Sequence, residues 1–203
     1  MVKALGFVTG VFGGLGLLVV VVVGGLASMS TQPTGSASVL ANELRAAGVE
    51  NGRLAEELLV TVSAHGSYRC QVTSHWGAAD MWLLLVSVAA LDGVDVEGGW
   101  CYRDYDTQVE LWASRQCFID GMCDGDPYPP TARPGTSNHG WGLAVDVWGS
   151  ADTTLMCESP EFRWMQFNAP RFGWVHPDWA QCGRPGSEAW HWEFVGVSEI
   201  PSA

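Results

Sequence analysis

Two short segments, some forty residues apart, supply between them the parts of a single chemical site, so the fold must bring them side by side. Residues 137–146 read Ser137-Asn138-His139-Gly140-Trp141-Gly142-Leu143-Ala144-Val145-Asp146, and the second segment reads Glu188-Ala189-Trp190-His191. A hydrolytic zinc ion takes three protein ligands from His, Asp, Glu or Cys, keeps one position open for water, and needs a neighbouring carboxylate to accept a proton. His139, Asp146 and His191 can be the ligands and Glu188 the base.

A histidine followed by an aspartate is by itself a weak signal, and the surrounding residues strengthen it. Gly140 and Gly142 allow the backbone to turn tightly after the first ligand, Ala144 leaves room beneath a metal, and the alternation along residues 143–146 puts Ala144 and Asp146 on one strand face. The alternative for His191 is a core histidine among Trp190, Trp192 and Phe194, but Glu188 three residues earlier favours the ligand. Glu193 alternates with Trp192 and is a candidate partner for a metal-bound histidine. A Ser137, His139, Asp146 triad is disfavoured. The serine and histidine are two apart, no Gly-x-Ser-x-Gly elbow surrounds the serine, and Glu188 and His191 would have no role.

Residues 4–27 are 24 residues without a charge, preceded by Lys3. That is long enough to cross a bilayer and longer than a usual signal-peptide core. The segment is an export signal or an anchor, and its glycines and the lack of an Ala-x-Ala site favour a retained anchor over cleavage after Ala27 or Ser28. The expected organisation is a signal-anchor over residues 1–30, a linker over 31–38, and one domain over 39–203, exported and either membrane-anchored or secreted. The six cysteines form an even set behind an export segment, which points to disulfides rather than thiolate ligands. Fifteen pairings are possible, and proximity favours a loop closed by Cys117 and Cys123.

A formal net charge of −12 excludes nucleic acid and anionic membrane surfaces as partners, because both need basic patches. Lys3 is the only lysine, which excludes the Ser-x-x-Lys peptidases.

Apolar period and caps predict helices over 38–47, 53–62, 78–91, 104–118 and 159–169, the fourth-named being the one that follows Tyr102-Arg103. The segment 78–91, nearly all apolar, reads as a buried central helix. Strands are predicted at 94–96, 143–148 and 190–195, and an irregular Pro/Gly/Asp-rich loop at 121–135. Helices followed by strands with one helix between them make the class α+β: a small antiparallel sheet carrying the zinc site, flanked by helices. His65 and His75 lie outside the motifs. His176 either lines the cleft or caps a turn, the second being favoured. The eleven tryptophans read as core and cleft wall rather than a sugar platform.

The chain resembles the VanY-type D-alanyl-D-alanine carboxypeptidases, within the zinc peptidases that include D-Ala-D-Ala dipeptidases and phage L-alanyl-D-glutamate endopeptidases. The group's Ser-x-His-x-x-Gly-x-Ala-x-Asp pattern is complete in Ser137, His139, Gly142, Ala144 and Asp146, and its Glu-x-Trp-His pattern in Glu188, Trp190 and His191. Its Tyr-Arg followed by a glutamine stands as Tyr102, Arg103 and Gln108. The resemblance implies a zinc cofactor, Arg103 as the stabiliser of the oxyanion, Gln108 ordering that arginine or its helix, and Ser137, Tyr102 and Trp190 supporting the site or substrate. It implies a monomer that hydrolyses peptidoglycan stem peptides, removing the terminal D-Ala. The alternatives are an endolysin that cuts within the stem, and an inactive wall-binding domain, against which the complete residue set counts.

Overall fold

Strand β4 (Ala144–Gly149) is the centre around which the described part of the molecule is built. The computed structural model describes residues 36–115, 131–150 and 153–197. The N-terminal segment, most of the linker, Cys117, Cys123 and much of the 121–135 loop lie outside the described residues. No described helix is long and apolar enough to cross a membrane.

In chain order the elements are α1 (Ala37–Ala46), β1 (Leu59–His65), β2 (Tyr68–Thr73), α2 (Ala78–Leu91), β3 (Glu97–Trp100), α3 (Tyr105–Ser114), β4, β5 (Thr153–Thr154), α4 (Pro160–Asn168), β6 (Trp174–Val175) and β7 (His191–Phe194). β1 and β2 form an antiparallel hairpin. The remaining strands form a five-stranded antiparallel sheet in the order β3-β4-β7-β6, with β5 against β4. The α+β class and the small antiparallel sheet are thus present.

The β4–β7 register pairs Ala144 with Glu193, Val145 with Trp192 and Asp146 with His191. Directly opposed residues point to the same side of a sheet and neighbours along a strand to opposite sides. One face therefore carries Val145, Val147, Trp192 and Phe194, all fully buried, and the other carries Asp146, His191 and Glu193. The apolar face packs with the indoles of Trp82 and Trp174, whose ring centroids are 5.0 Å apart in an edge-on arrangement, and Trp174 lies 5.4 Å from Phe194.

The helices form for local reasons. Ser159 caps α4 by accepting the Phe162 N–H at 3.1 Å, with Pro160 at the first helical position. Asp104 caps α3 by accepting the Thr107 N–H at 2.7 Å. α3 ends at Ser114, short of the predicted residue 118.

Three predictions are corrected. Residues 53–62 are not a helix: a 3₁₀ turn at Glu56–Leu58 leads into β1. Val60 and Val62 suit a strand, and Gly66, at φ 59°, turns the chain back into β2, so pairing overrides the helical propensity of Glu56, Glu57 and Leu58. The strand predicted at 94–96 lies at Glu97–Trp100, where it can pair with β4. α2 is not buried all round; Trp82, Leu85 and Ala89 face the core while Leu83, Leu84 and Leu91 are exposed, because only one side of the helix meets the packed layer.

Among the described residues, two disulfides pair Cys70 with Cys101 and Cys157 with Cys182. The first ties β2 to the residue that follows β3, and the second ties the segment before α4 to the loop that precedes β7.

Leu85→Ala should lower the unfolding free energy by about 3 kcal/mol in urea titrations, as expected for a fully buried leucine. A change below about 0.5 kcal/mol would mean that this face of α2 is not part of the core.

Candidate metal centre and active cleft

Ser137 opens the first half of the site. It caps a 3₁₀ turn (Asn138–Trp141) with its hydroxyl, which accepts the His139 N–H at 3.3 Å. The turn closes at Gly142, whose φ of 64° lies in the left-handed region and whose missing Cβ would stand 2.8 Å from the Thr73 backbone nitrogen. Gly140 has the same necessity in another form: a Cβ there would collide with the side chain of Asn51, which donates to the Ser137 carbonyl at 2.7 Å. The chain then enters β4, and Asp146 arrives on the sheet face opposite the core.

The second half begins at Glu188, whose N–H donates to the Ala180 carbonyl and whose carbonyl accepts the His191 N–H, each at 3.0 Å. This turn delivers His191 into β7 directly opposite Asp146. Asp146 Oδ1 lies 3.3 Å from His139 Nε2 and 3.0 Å from His191 Nδ1. The three candidate ligand atoms all fall within 4.8 Å of one another, and this is the one such cluster among the described residues. Tetrahedral zinc with arms of about 2.0 Å has ligand-to-ligand edges of roughly 3.3 Å.

The outer nitrogens of both imidazoles are already committed. His139 Nδ1–H donates to the Cys101 carbonyl at 2.8 Å, which leaves Nε2 facing the cluster. His191 Nε2–H donates to Glu193 Oε1 at 3.1 Å, which leaves Nδ1 facing it. A carbonyl behind one histidine and a carboxylate behind the other is the arrangement that fixes tautomer and ring orientation in metal sites. The donor set, its spacing and its outer partners fit zinc.

Electrostatics agree with a site that loses a proton when a cation enters. Burial alone would lower the His191 pKa, but hydrogen bonds to Asp146 and Glu193 overcome it and push the value up to about 10. Burial would raise the Asp146 pKa, and the charges and hydrogen bonds of His139 and His191 reverse this, holding it far below the usual carboxylate range. Glu188 differs from both. Burial pushes its pKa up to about 7, aided by Asp146 and opposed by His191, so this carboxyl is poised near neutral pH as a proton carrier should be.

Arg103 enters from the segment between β3 and α3. Its N–H donates to the His139 carbonyl at 3.2 Å, and its guanidinium Nη1 donates to Gln108 Oε1 at 3.0 Å. Gln108 is buried at the start of α3, and its amide also donates to the Ala132 carbonyl at 2.7 Å.

A cleft of about 680 Å³ joins these groups, lined by Arg103, Arg115, Ser137, Asn138, Trp179, Trp190 and Glu188 together with the three candidate ligands and Glu193. The fold thus brings His139, Asp146, His191, Glu188, Arg103, Ser137 and Trp190 together. Tyr102 does not line the cleft; its hydroxyl accepts the Leu54 N–H at 3.1 Å. His65 is engaged with Glu97 at 3.2 Å, away from the cluster. His176 supports the base from behind by donating Nε2–H to the Glu188 carbonyl at 2.9 Å while its ring stacks on Trp192.

Three residues were not singled out by sequence reasoning. The Cys101 carbonyl carries no side-chain signal at all. Trp179, 4.8 Å from the His191 ring, and Arg115 were invisible because nothing in their local sequence relates them to either motif.

The family model described as VanY, D-alanyl-D-alanine carboxypeptidase, matches residues 72–197. A D-alanyl-D-alanine carboxypeptidase of Enterococcus faecalis (strain ATCC 700802 / V583) is 38% identical over 122 residues, or 56% of this chain; the match spans 45% of that relative's length. Among solved structures, a mutant of the vancomycin resistance D,D-pentapeptidase VanY from a VanB-type cassette, in complex with Zn(II), superposes with a TM-score of 0.51 at 23% identity, covering 73% of this chain and 88% of that one. The LdcB LD-carboxypeptidase gives 0.55 at 21%, covering 72% of each chain. Both structural likenesses are likenesses of fold.

Two measurements test the centre. Zinc uptake at pH 7 should release about one proton, since the cation displaces the one that His191 otherwise holds; calorimetry in buffers of different ionisation enthalpy reads this directly, and zero release would contradict the assigned proton. Glu193→Gln should weaken zinc binding roughly tenfold or more in competition with a chromophoric chelator. Unchanged affinity would remove Glu193 as the group that orients His191.

Proposed function

Since the chain belongs to the VanY family of D-alanyl-D-alanine carboxypeptidases, we propose that it is a zinc peptidase acting outside the cytoplasm on peptidoglycan stem peptides, and that it removes the C-terminal D-Ala from D-Ala-D-Ala ends. The observation that carries this reading is the convergence of Glu188 and Arg103 on the cluster of His139, Asp146 and His191 within one cleft.

His139, Asp146 and His191 would hold the zinc. When bound there, the ion would acidify water and polarise the scissile carbonyl. Glu188 takes the proton of the attacking water and afterwards gives it to the nitrogen of the departing residue, two tasks suited to a carboxyl whose pKa burial has raised to about 7. Arg103 faces the developing negative charge on the carbonyl oxygen with a guanidinium that Gln108 prevents from swinging away. Trp179 and Trp190 line the cleft beside the reacting groups.

The experiment is D-alanine release from a synthetic pentapeptide stem by zinc-loaded protein. Release should stop with a chelator, fall about 10²- to 10⁴-fold in Glu188→Ala, and fall about 10²- to 10³-fold in Arg103→Ala with most of the loss in kcat. Labelled penicillin should leave no covalent adduct, because no serine acts as nucleophile. Cleavage of the stem at an internal bond, read by mass spectrometry, would replace carboxypeptidase action with endopeptidase action; release that persists in Glu188→Ala would overturn the role of the base.

A further inference from the structure

The active cleft contains a second arginine that the proposed chemistry does not use. Arg115 stands immediately after α3, is half-buried, and lines the cleft with Arg103 and Glu188. Its Nη1 donates to the buried Thr131 hydroxyl at 2.9 Å. The ion pairs formed among the described residues include neither Arg103 nor Arg115.

A guanidinium has five N–H donors in a planar fork that matches a carboxylate. Pinning residue 131 occupies one of them and has no need of a positive charge. A guanidinium partly withdrawn from water binds a carboxylate ligand through charge-assisted hydrogen bonds. Arg115 lines the same cleft as Glu188.

Reaction chemistry says what arrives beside Glu188. When a terminal residue is cut from a peptide, the atom that receives the proton is that residue's nitrogen, and its free carboxylate is attached to the next carbon. The proton donor and the group that binds the carboxylate must then be neighbours. We infer that Arg115 grips the C-terminal carboxylate of the substrate and makes the cleft select the end of a peptide rather than its interior. This rests on the proposed peptidase reading and adds to it the residue that sets exopeptidase specificity.

The test compares a pentapeptide stem with its C-terminal amide, in wild type, Arg115→Gln and Arg115→Lys. Wild type should favour the free acid, and in Arg115→Gln that preference should fall about 10- to 100-fold, as expected for losing hydrogen bonds to a charged group. The loss should appear in KM for the acid, and Arg115→Lys should recover part of it. An equal loss on acid and amide would make Arg115 a structural pin on Thr131, and an undiminished preference in Arg115→Gln would also overturn the inference.

Binding separates this inference from the proposed function. Calorimetry on Glu188→Ala protein should show the acid bound more tightly than the amide, with the difference abolished by adding Arg115→Gln. A wild type that hydrolyses neither peptide, yet shows this Arg115-dependent binding, would overturn the proposed function and leave carboxylate recognition standing. Hydrolysis with no such binding difference would do the reverse.

Discussion

The pairing of β4 with β7 holds the core and the candidate metal centre in one register, because an antiparallel ladder assigns each side chain to one of two faces. Val145 opposite Trp192 closes the packed face, while Asp146 opposite His191 and Ala144 opposite Glu193 build the open one. A slip of one residue would carry Trp192 into the cleft and His191 into the core. The apolar contacts that resist such a slip, including Trp174 against Phe194 and Trp82 against Trp174, therefore also keep the ligand atoms at their spacing.

The open face is costly to build. His139, His191 and Glu193 are all buried, Asp146 nearly so, and charged groups withdrawn from water must find partners. Each outer atom has one: the Cys101 carbonyl behind His139, Glu193 behind His191, and the Asn138 side chain on Glu193. The Cys101 carbonyl is itself held, because Cys101 is bonded to Cys70 and its N–H donates to the Tyr68 hydroxyl at 2.9 Å. A disulfide well away in sequence thus bears on the orientation of a candidate ligand through a single backbone oxygen.

Legibility followed the range of the interactions. α4 could be read from Ser159-Pro160, and β4 from the alternation of residues 143–148, since a capped start and a period of two are local signals. Residues 53–62 misled because their propensity is helical while their state is decided by pairing with residues 68–73, and β2 itself went unread. The apolar run of α2 suggested burial on every side; how many sides are covered depends on the number of layers packed against it, which no window of sequence contains. Among functional residues, Glu193 was visible by alternation from His191. Arg115 was not, because its place in the cleft depends on where α3 ends relative to Thr131.

The amino-acid sequence by itself determined the chemistry on offer: a His-x₆-Asp segment shaped by glycines, a Glu-x-x-His segment, an arginine before a capped helix, and cysteines suited to an oxidising compartment. These are local because a tight turn and one strand are enough to present each set. The tertiary structure alone decided that Asp146 faces His191 across a ladder, that a carbonyl and a carboxylate choose which nitrogen each histidine turns inward, and that a second arginine shares the cleft with the base. Those relations join residues from 38 to 45 positions apart in the case of Cys101 with His139 and Asp146 with His191, and only long-range pairing and burial can specify them.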